Sequence, residues 1–135
     1  MTTATETLSV VVEREIPYPP EKIWRALTQP QLLEEWLMKN DFKPNVGHAF
    51  RFSGDWGSVD CQVIALEANK TLSYSWGAMG LGSVVTWTLT PTSAGTHLRM
   101  EQAGFTPDQQ QAYRGAKYGW PKFFANLERV LGGLP

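Results

Sequence analysis

The side chains able to act as acids, bases, nucleophiles or metal ligands are few and scattered. His48 and His97 are the only histidines, and neither has a cysteine or carboxylate beside it at the spacing a metal site needs. No metal and no cofactor are therefore expected. Cys61, between Val59 and Val63, reads as a small buried hydrophobe rather than an activated thiolate. The loop from Gly77 to Gly82 has neither GxGxxG nor Walker spacing and carries no lysine, so a nucleotide cradle is not expected. Its glycines read instead as flexibility at a cavity mouth. Arg51, Asp55, Asp60, Arg99 and Glu101 fall on turns or outward strand positions, the ordinary place for solvated charge. Arg14 shares a strand face with Val10 and Val12, and His48 follows Gly47. These two are the candidates for a polar rim, with His48 the one conceivable general base.

What the chain has in quantity is aromatic surface, with 6 Trp, 4 Tyr and 6 Phe. Alternation along strands puts Phe50 with Phe52, Val59 with Cys61 and Val63, Tyr74 with Trp76, Val85 with Trp87 and Leu89, and Leu98 with Met100. Helical segments add Trp36, Tyr113, Trp120 and Phe124. The candidate ligand cavity is therefore lined by Trp36, Phe50, Phe52, Cys61, Tyr74, Trp76, Trp87, Met100, Tyr113, Trp120 and Phe124. Such a wall, apolar with phenol and indole handles, suits a flat, weakly polar ligand. The plain alternative is that the same residues are simply core, which a small domain needs for stability.

The elements that position these residues follow from periodicity. Leu8 to Ile16 reads as a first strand, stopped by Pro17-Tyr18-Pro19-Pro20. Pro20 and Pro30 each open a short helix, the first carrying Ile23, Trp24, Ala26 and Leu27, the second Leu32, Leu33, Trp36 and Leu37. Strands are expected over residues 49–53, 58–67, 71–76, 83–90 and 96–103, separated by turns at Ser53 to Gly57, Ala68-Asn69-Lys70, the glycine-rich loop and Thr92 to Gly95. Thr106-Pro107-Asp108-Gln109 fits a capping box opening a long amphipathic helix that Gly132-Gly133 ends. Pro121 predicts a kink or break beside Gly119. The GxxxG spacing of Gly115 and Gly119 reads as close helix packing. Residues 1–8 read as a flexible tail and residues 9–135 as a single domain.

A net charge of −1 and a pI near 6.1 offer no field for phosphate backbones, so nucleic acid is not expected as a partner. No apolar run reaches the roughly 20 residues of a membrane-spanning helix, so integral membrane association is not expected either. The single cysteine forbids an intrachain disulfide and fits a cytoplasmic setting.

The stretch Ile16-Pro17-Tyr18-Pro19-Pro20-Glu21-Lys22-Ile23-Trp24-Arg25-Ala26-Leu27-Thr28 resembles the opening of the SRPBCC superfamily, the START and birch-pollen-allergen helix-grip proteins. The branch it resembles most is that of the C-terminal domain of the activator of heat-shock protein 90 ATPase. That pattern continues in Pro44-Asn45-Val46-Gly47, Phe50-Arg51-Phe52, Val85 to Pro91, Gly95-Thr96-His97-Leu98, Gly104-Phe105 and Gly119-Trp120. The resemblance implies an α+β helix-grip fold, with a curved antiparallel sheet of about six strands wrapped around a long C-terminal helix and two short helices between strands 1 and 2.

Three functions follow as expectations. The leading one is non-catalytic binding of a small hydrophobic or aromatic ligand, lipid- or polyketide-like, by a monomer or homodimer. The second, implied by the superfamily, is a polyketide cyclase or aromatase acting largely by positioning, with His48 or Tyr113 assisting. The third is a co-chaperone-like interaction domain in a stress-response setting. A chaperone partner ranks last, because the outward face of Ser58, Asp60, Gln62, Thr86, Thr88 and Thr90 is polar.

Overall fold

A computed structural model describes residues 7–54, 57–78 and 81–134. Residues 1–6 of the expected tail, Asp55 and Trp56 of the expected hairpin turn, Met79 and Gly80 of the glycine-rich loop, and Pro135 lie outside the described residues.

The element order is β1 (Leu8–Ile16), α1 (Pro20–Thr28), α2 (Pro30–Trp36), β2 (Lys39–Asn40), β3 (Ala49–Gly54), β4 (Gly57–Glu67), β5 (Thr71–Ala78), β6 (Leu81–Thr92), β7 (Gly95–Phe105) and α3 (Gln110–Gly132). The strands form one antiparallel sheet in the order β1-β7-β6-β5-β4-β3-β2. This is the expected helix-grip arrangement with one strand more than the expected six. The addition is β2, whose two residues pair with Ser53 and Phe52. Two residues cannot display a period, and what fixes β2 is a side chain. Asn40 Nδ2 donates to the carbonyls of Pro30 and Met38 at 3.1 and 3.0 Å, and its Oδ1 accepts the Phe42 N–H at 3.1 Å.

β1 and β2 occupy opposite edges of the sheet, so α1 and α2 carry the chain from one edge to the other. Both helices open on a proline, where the missing N–H removes no intrahelical bond. The last turn of α1 leaves orphan carbonyls, and a side chain satisfies one of them. Trp36 Nε1 donates to Ala26 O at 2.8 Å, while Thr28 Oγ1 bonds back within the helix to Trp24 O at 2.7 Å. Trp36 thereby ties α2 to α1 while its ring enters the core. The β6–β7 turn packs on the corner between β1 and α1. A Cβ on Gly95, which holds φ +154°, would sit 2.2 Å from the Ile16 carbonyl oxygen, so only glycine fits there.

The structure revises one sequence expectation for α3 and narrows another, since of the kink or break expected at Pro121 the break is not adopted. The Gln109 side chain does reach back to accept the Thr106 N–H, at 2.9 Å, but the Thr106 hydroxyl bonds to Asp108 rather than to the helix backbone. Residues 106–109 are consequently a turn, and α3 starts at Gln110. The helix also does not divide at Pro121. It runs unbroken to Gly132, with the proline on the exposed side, where water can satisfy the carbonyl its ring displaces. The two ends of the glycine-rich segment are strand rather than loop, since Gly77 and Gly82 pair with each other within β5 and β6. No helix among the described residues is long and apolar enough to cross a membrane.

The concave face of the sheet and the buried stripe of α3 meet in an aromatic core. Trp87 is its centre, edge-on to Trp36 at 5.7 Å and to Trp120 at 5.8 Å and stacked with Phe124 at 5.6 Å. Phe50, Phe52 and Tyr74 extend the cluster toward β3.

On the outer face, the β1–β7 register brings His97 between two carboxylates that lie far from it in sequence. Its Nε2 is 2.8 Å from Glu13 Oε1, and its Nδ1 is bonded to Glu15. These hydrogen bonds, Glu15 first, hold the imidazole pKa above its ordinary 6.5. The folded state therefore binds the proton more tightly than the unfolded chain. The resulting stability is complete below the free value and disappears as pH climbs past the raised one. Urea midpoints measured across this range should fall with rising pH in the wild type, and His97→Gln should remove that slope.

Candidate ligand cavity

The N-terminal half of α3 stands off the sheet, and a cavity of about 750 Å³ lies beneath it. Its floor is Val59 from β4, Trp76 from β5, Gln102 and Phe105 from β7, and Trp120 from α3, all buried. Leu37 and Met38, between α2 and β2, close one side with Phe123. It opens to solvent where Gln111, Ala112 and Gly115 are exposed. Gln109 joins Gln102 and Gln111 as the polar part of the wall, which bears no ionisable side chain among the described residues.

The space exists because the helix face above it is small. Ala112, Gly115, Ala116 and Gly119 follow one another at three- and four-residue steps, so they share one face of α3. A Cβ built on Gly115 meets nothing within 4 Å, and one on Gly119 meets only a Phe123 ring atom at 4.0 Å. The GxxxG pair is therefore not a close-packing device here. It is missing volume.

At the floor, a polar chain runs through the apolar wall. Trp120 Nε1 donates to Gln102 Oε1 at 2.7 Å, Gln102 Nε2 donates to Ser83 Oγ at 2.9 Å, and Ser83 Oγ donates to the Trp76 carbonyl at 2.9 Å. Gln102 and Ser83 are each 2% exposed. Burying a primary amide this deeply is tolerable because both ends are bonded.

The sequence-predicted residues separate into three groups. Trp76 and Trp120 are on the cavity wall. Phe50 and Cys61 border a different, shallower groove of about 550 Å³ beside β2, with Lys39, Asp41, Arg51 and Asp60. Trp36, Phe52, Tyr74, Trp87, Met100 and Phe124 are packed in the core and do not reach the wall. Tyr113 is half-buried, edge-on to Phe105 at 5.5 Å, and also off the wall. Neither rim candidate reaches the cavity. Arg14 lies 5.7 Å over the Phe124 ring while its Nη1 donates to Glu13 O at 2.9 Å. His48 Nε2 is 3.1 Å from the Asp41 carbonyl, and its ring stacks toward Phe50.

Sequence reasoning missed Gln102, Gln109, Gln111, Phe105 and the opening made by Gly115 and Gly119. Gln102 carried a signal, since it continues the inward alternation of Leu98 and Met100. The volume above it carried none, because emptiness depends on the helix-to-sheet distance.

The electrostatics are those of an unreactive interior. Burial pushes the Cys61 thiol up to about 12, assisted by the charges of Asp60 and Asp41. Burial likewise raises the Tyr74 phenol, although the Trp87 indole donates to its oxygen at 3.0 Å and opposes the shift. Among the described residues no three His, Cys, Asp or Glu side chains group to hold a metal ion.

The model for Activator of Hsp90 ATPase homolog 1-like proteins matches residues 17–132. The chain belongs to this family. That agrees with the resemblance read from its motifs and places the domain in the SRPBCC superfamily. The crystal structure of protein MLL2253 from Mesorhizobium loti is 63% identical, with a TM-score of 0.92 over 95% of this chain and 99% of its own. DynU16, a protein in the dynemicin biosynthetic locus, is 26% identical, with a TM-score of 0.80 over 94% of this chain and 47% of its own. The solution structure of BH1534 from Bacillus halodurans, 24% identical with a TM-score of 0.83 over 95% of this chain and 99% of its own, shows the fold alone. No curated protein matches the chain.

Two outcomes follow for the family domain. Trp120→Ala removes a core ring and the donor to Gln102 together, so urea unfolding should show a loss of about 3–5 kcal/mol. With its pKa near 12, Cys61 holds only about one thiolate in ten thousand at pH 8. Iodoacetamide should therefore alkylate it only after unfolding, as read by intact mass.

Proposed function

We propose that this domain binds a small hydrophobic or aromatic ligand, lipid- or polyketide-like, in the cavity under α3, without catalysing a reaction on it. The observation that carries this reading is the unfilled space of about 750 Å³ with a buried, mainly apolar floor. That volume lies in the range of small-molecule sites, which bury most of a ligand against apolar walls and orient it with a few polar groups. Among the described residues no ionisable group lines the cavity, and His48 and Tyr113 stand outside it, so positioning rather than acid–base work suits the geometry. A family neighbour from a biosynthetic locus is in keeping with a fold that handles small organic compounds. A cytoplasmic setting fits the lone, buried cysteine.

The family's name favours a second reading, an interaction domain resembling a co-chaperone. The outer sheet face supports it less, since Ser58, Asp60, Gln62 and Thr90 are exposed polar residues there.

Gly115→Leu tests the first reading. Its Cβ has open space, and replacing glycine inside a helix stabilises by up to about 1 kcal/mol, so the variant should melt no lower than wild type. The leucine should fill the mouth, and the binding of Nile red followed by fluorescence should be lost. Undiminished binding in Gly115→Leu would overturn the cavity as the site. Native mass spectrometry of freshly purified wild type should show a retained small molecule that the variant lacks.

A further inference from the structure

We propose that the cavity selects uncharged ligands that present one hydrogen-bond-accepting oxygen, which docks on the second N–H of Gln102. This rests on the ligand-binding reading above and deepens it.

The direction of the polar chain fixes the amide. The Trp120 indole nitrogen can only donate, so the atom facing it at 2.7 Å is the Gln102 oxygen. The single hydrogen of Ser83 Oγ goes to the Trp76 carbonyl, which leaves that hydroxyl as an acceptor for Gln102 Nε2. The indole bond excludes the flipped amide, and the Ser83 bond agrees with that orientation. A primary amide nitrogen carries two hydrogens, and only one of them has a partner among the described residues. Gln102 is 2% exposed and lies on the cavity floor, so the remaining N–H can be met only from within the cavity. A ligand oxygen placed there takes over that donor from the water that would otherwise enter.

The same wall excludes charge. Its polar members among the described residues are Gln102, Gln109 and Gln111, with no lysine, arginine or histidine among them to neutralise a buried carboxylate. An anion carried to the floor would lose its hydration without gaining a counter-charge, a penalty far larger than one amide bond returns. Ketones, esters, amides and alcohols of aromatic or polycyclic shape meet both conditions. Free carboxylic acids, ionised at neutral pH, offer the oxygen but fail the charge condition.

Three probes of one shape test this: 1-acetylpyrene, 1-ethylpyrene and 1-pyrenecarboxylate, titrated against wild type at pH 7.5. The ketone should bind on the order of 100-fold or more tighter than the carboxylate. Bound 1-acetylpyrene, labelled with carbon-13 at the carbonyl, should show its infrared stretch at lower wavenumber than in an alkane. In Gln102→Leu that displacement should vanish, and the ratio of ketone to ethylpyrene affinity should fall about 3- to 10-fold, the share of one neutral hydrogen bond. A carboxylate that binds as tightly as the ketone, or a carbonyl stretch that matches the alkane value, overturns the selection rule while leaving a hydrophobic binding site in place. Failure of all three probes to bind overturns the rule together with the binding function. The two wild-type measurements decide the question even if Gln102→Leu does not fold.

Discussion

Trp87 is the contact on which the rest of the molecule depends. Its ring lies where the concave sheet face, α2 and α3 converge, edge-on to Trp36 and Trp120 and stacked with Phe124. A buried tryptophan removes on the order of 200 Å² from water, and each favourable ring pair adds about 0.5–1.5 kcal/mol beyond that area. Its N–H is bonded to the Tyr74 hydroxyl, so the hub carries no unpaired donor into the core. Below it, Phe124, Leu127 and Leu131 continue the buried stripe and clamp the C-terminal half of α3 to the sheet.

The cavity is the other half of that arrangement. One rigid helix cannot fit a curved sheet along its whole length when the large residues occupy only one end of its inner face. Past Trp120 toward the N-terminus, that face carries Gly119, Ala116, Gly115 and Ala112, and the separation set by the rings is not filled. Packing at one end therefore produces volume at the other, with Trp120 belonging to both. Its ring closes the aromatic core, and its N–H anchors the amide that faces the open space.

Polar groups are distributed by the same logic. Gln102, Ser83 and Trp120 form a directional chain fixed at its ends by the indole N–H of Trp120, which can only donate, and the Trp76 carbonyl, which can only accept. Arg14 and His48, the ionisable groups nearest to apolar faces, are held by backbone carbonyls and rings away from the cavity. Charge gathers instead on the outer face, where His97 bridges Glu13 and Glu15 in contact with water.

Much of the fold was legible in the residues alone. Two-residue alternation identified the inward faces of β3 to β7, because a strand exposes its pattern without reference to any partner, and prolines at Pro20 and Pro30 marked helix starts for local steric reasons. β2 was not legible, since its two residues are held by the Asn40 side chain rather than by periodicity. Nor was the start of α3, where the Thr106 hydroxyl chose Asp108 over the backbone. The bond between His97 and the carboxylates of Glu13 and Glu15 awaited the β1–β7 register, which joins residues more than eighty positions apart. For the site, sequence determined that Trp36, Phe50, Phe52, Tyr74, Trp76, Trp87, Trp120 and Phe124 are buried, because burial follows from face and hydrophobicity, though it missed Phe105 and placed the half-buried Tyr113 too deep. Only the tertiary structure decided that Trp36, Phe52, Tyr74, Trp87, Met100 and Phe124 fill the core while Trp76, Trp120 and Gln102 border empty space. The physical reason is that a cavity is a distance between elements, and no residue pattern within either element specifies that distance.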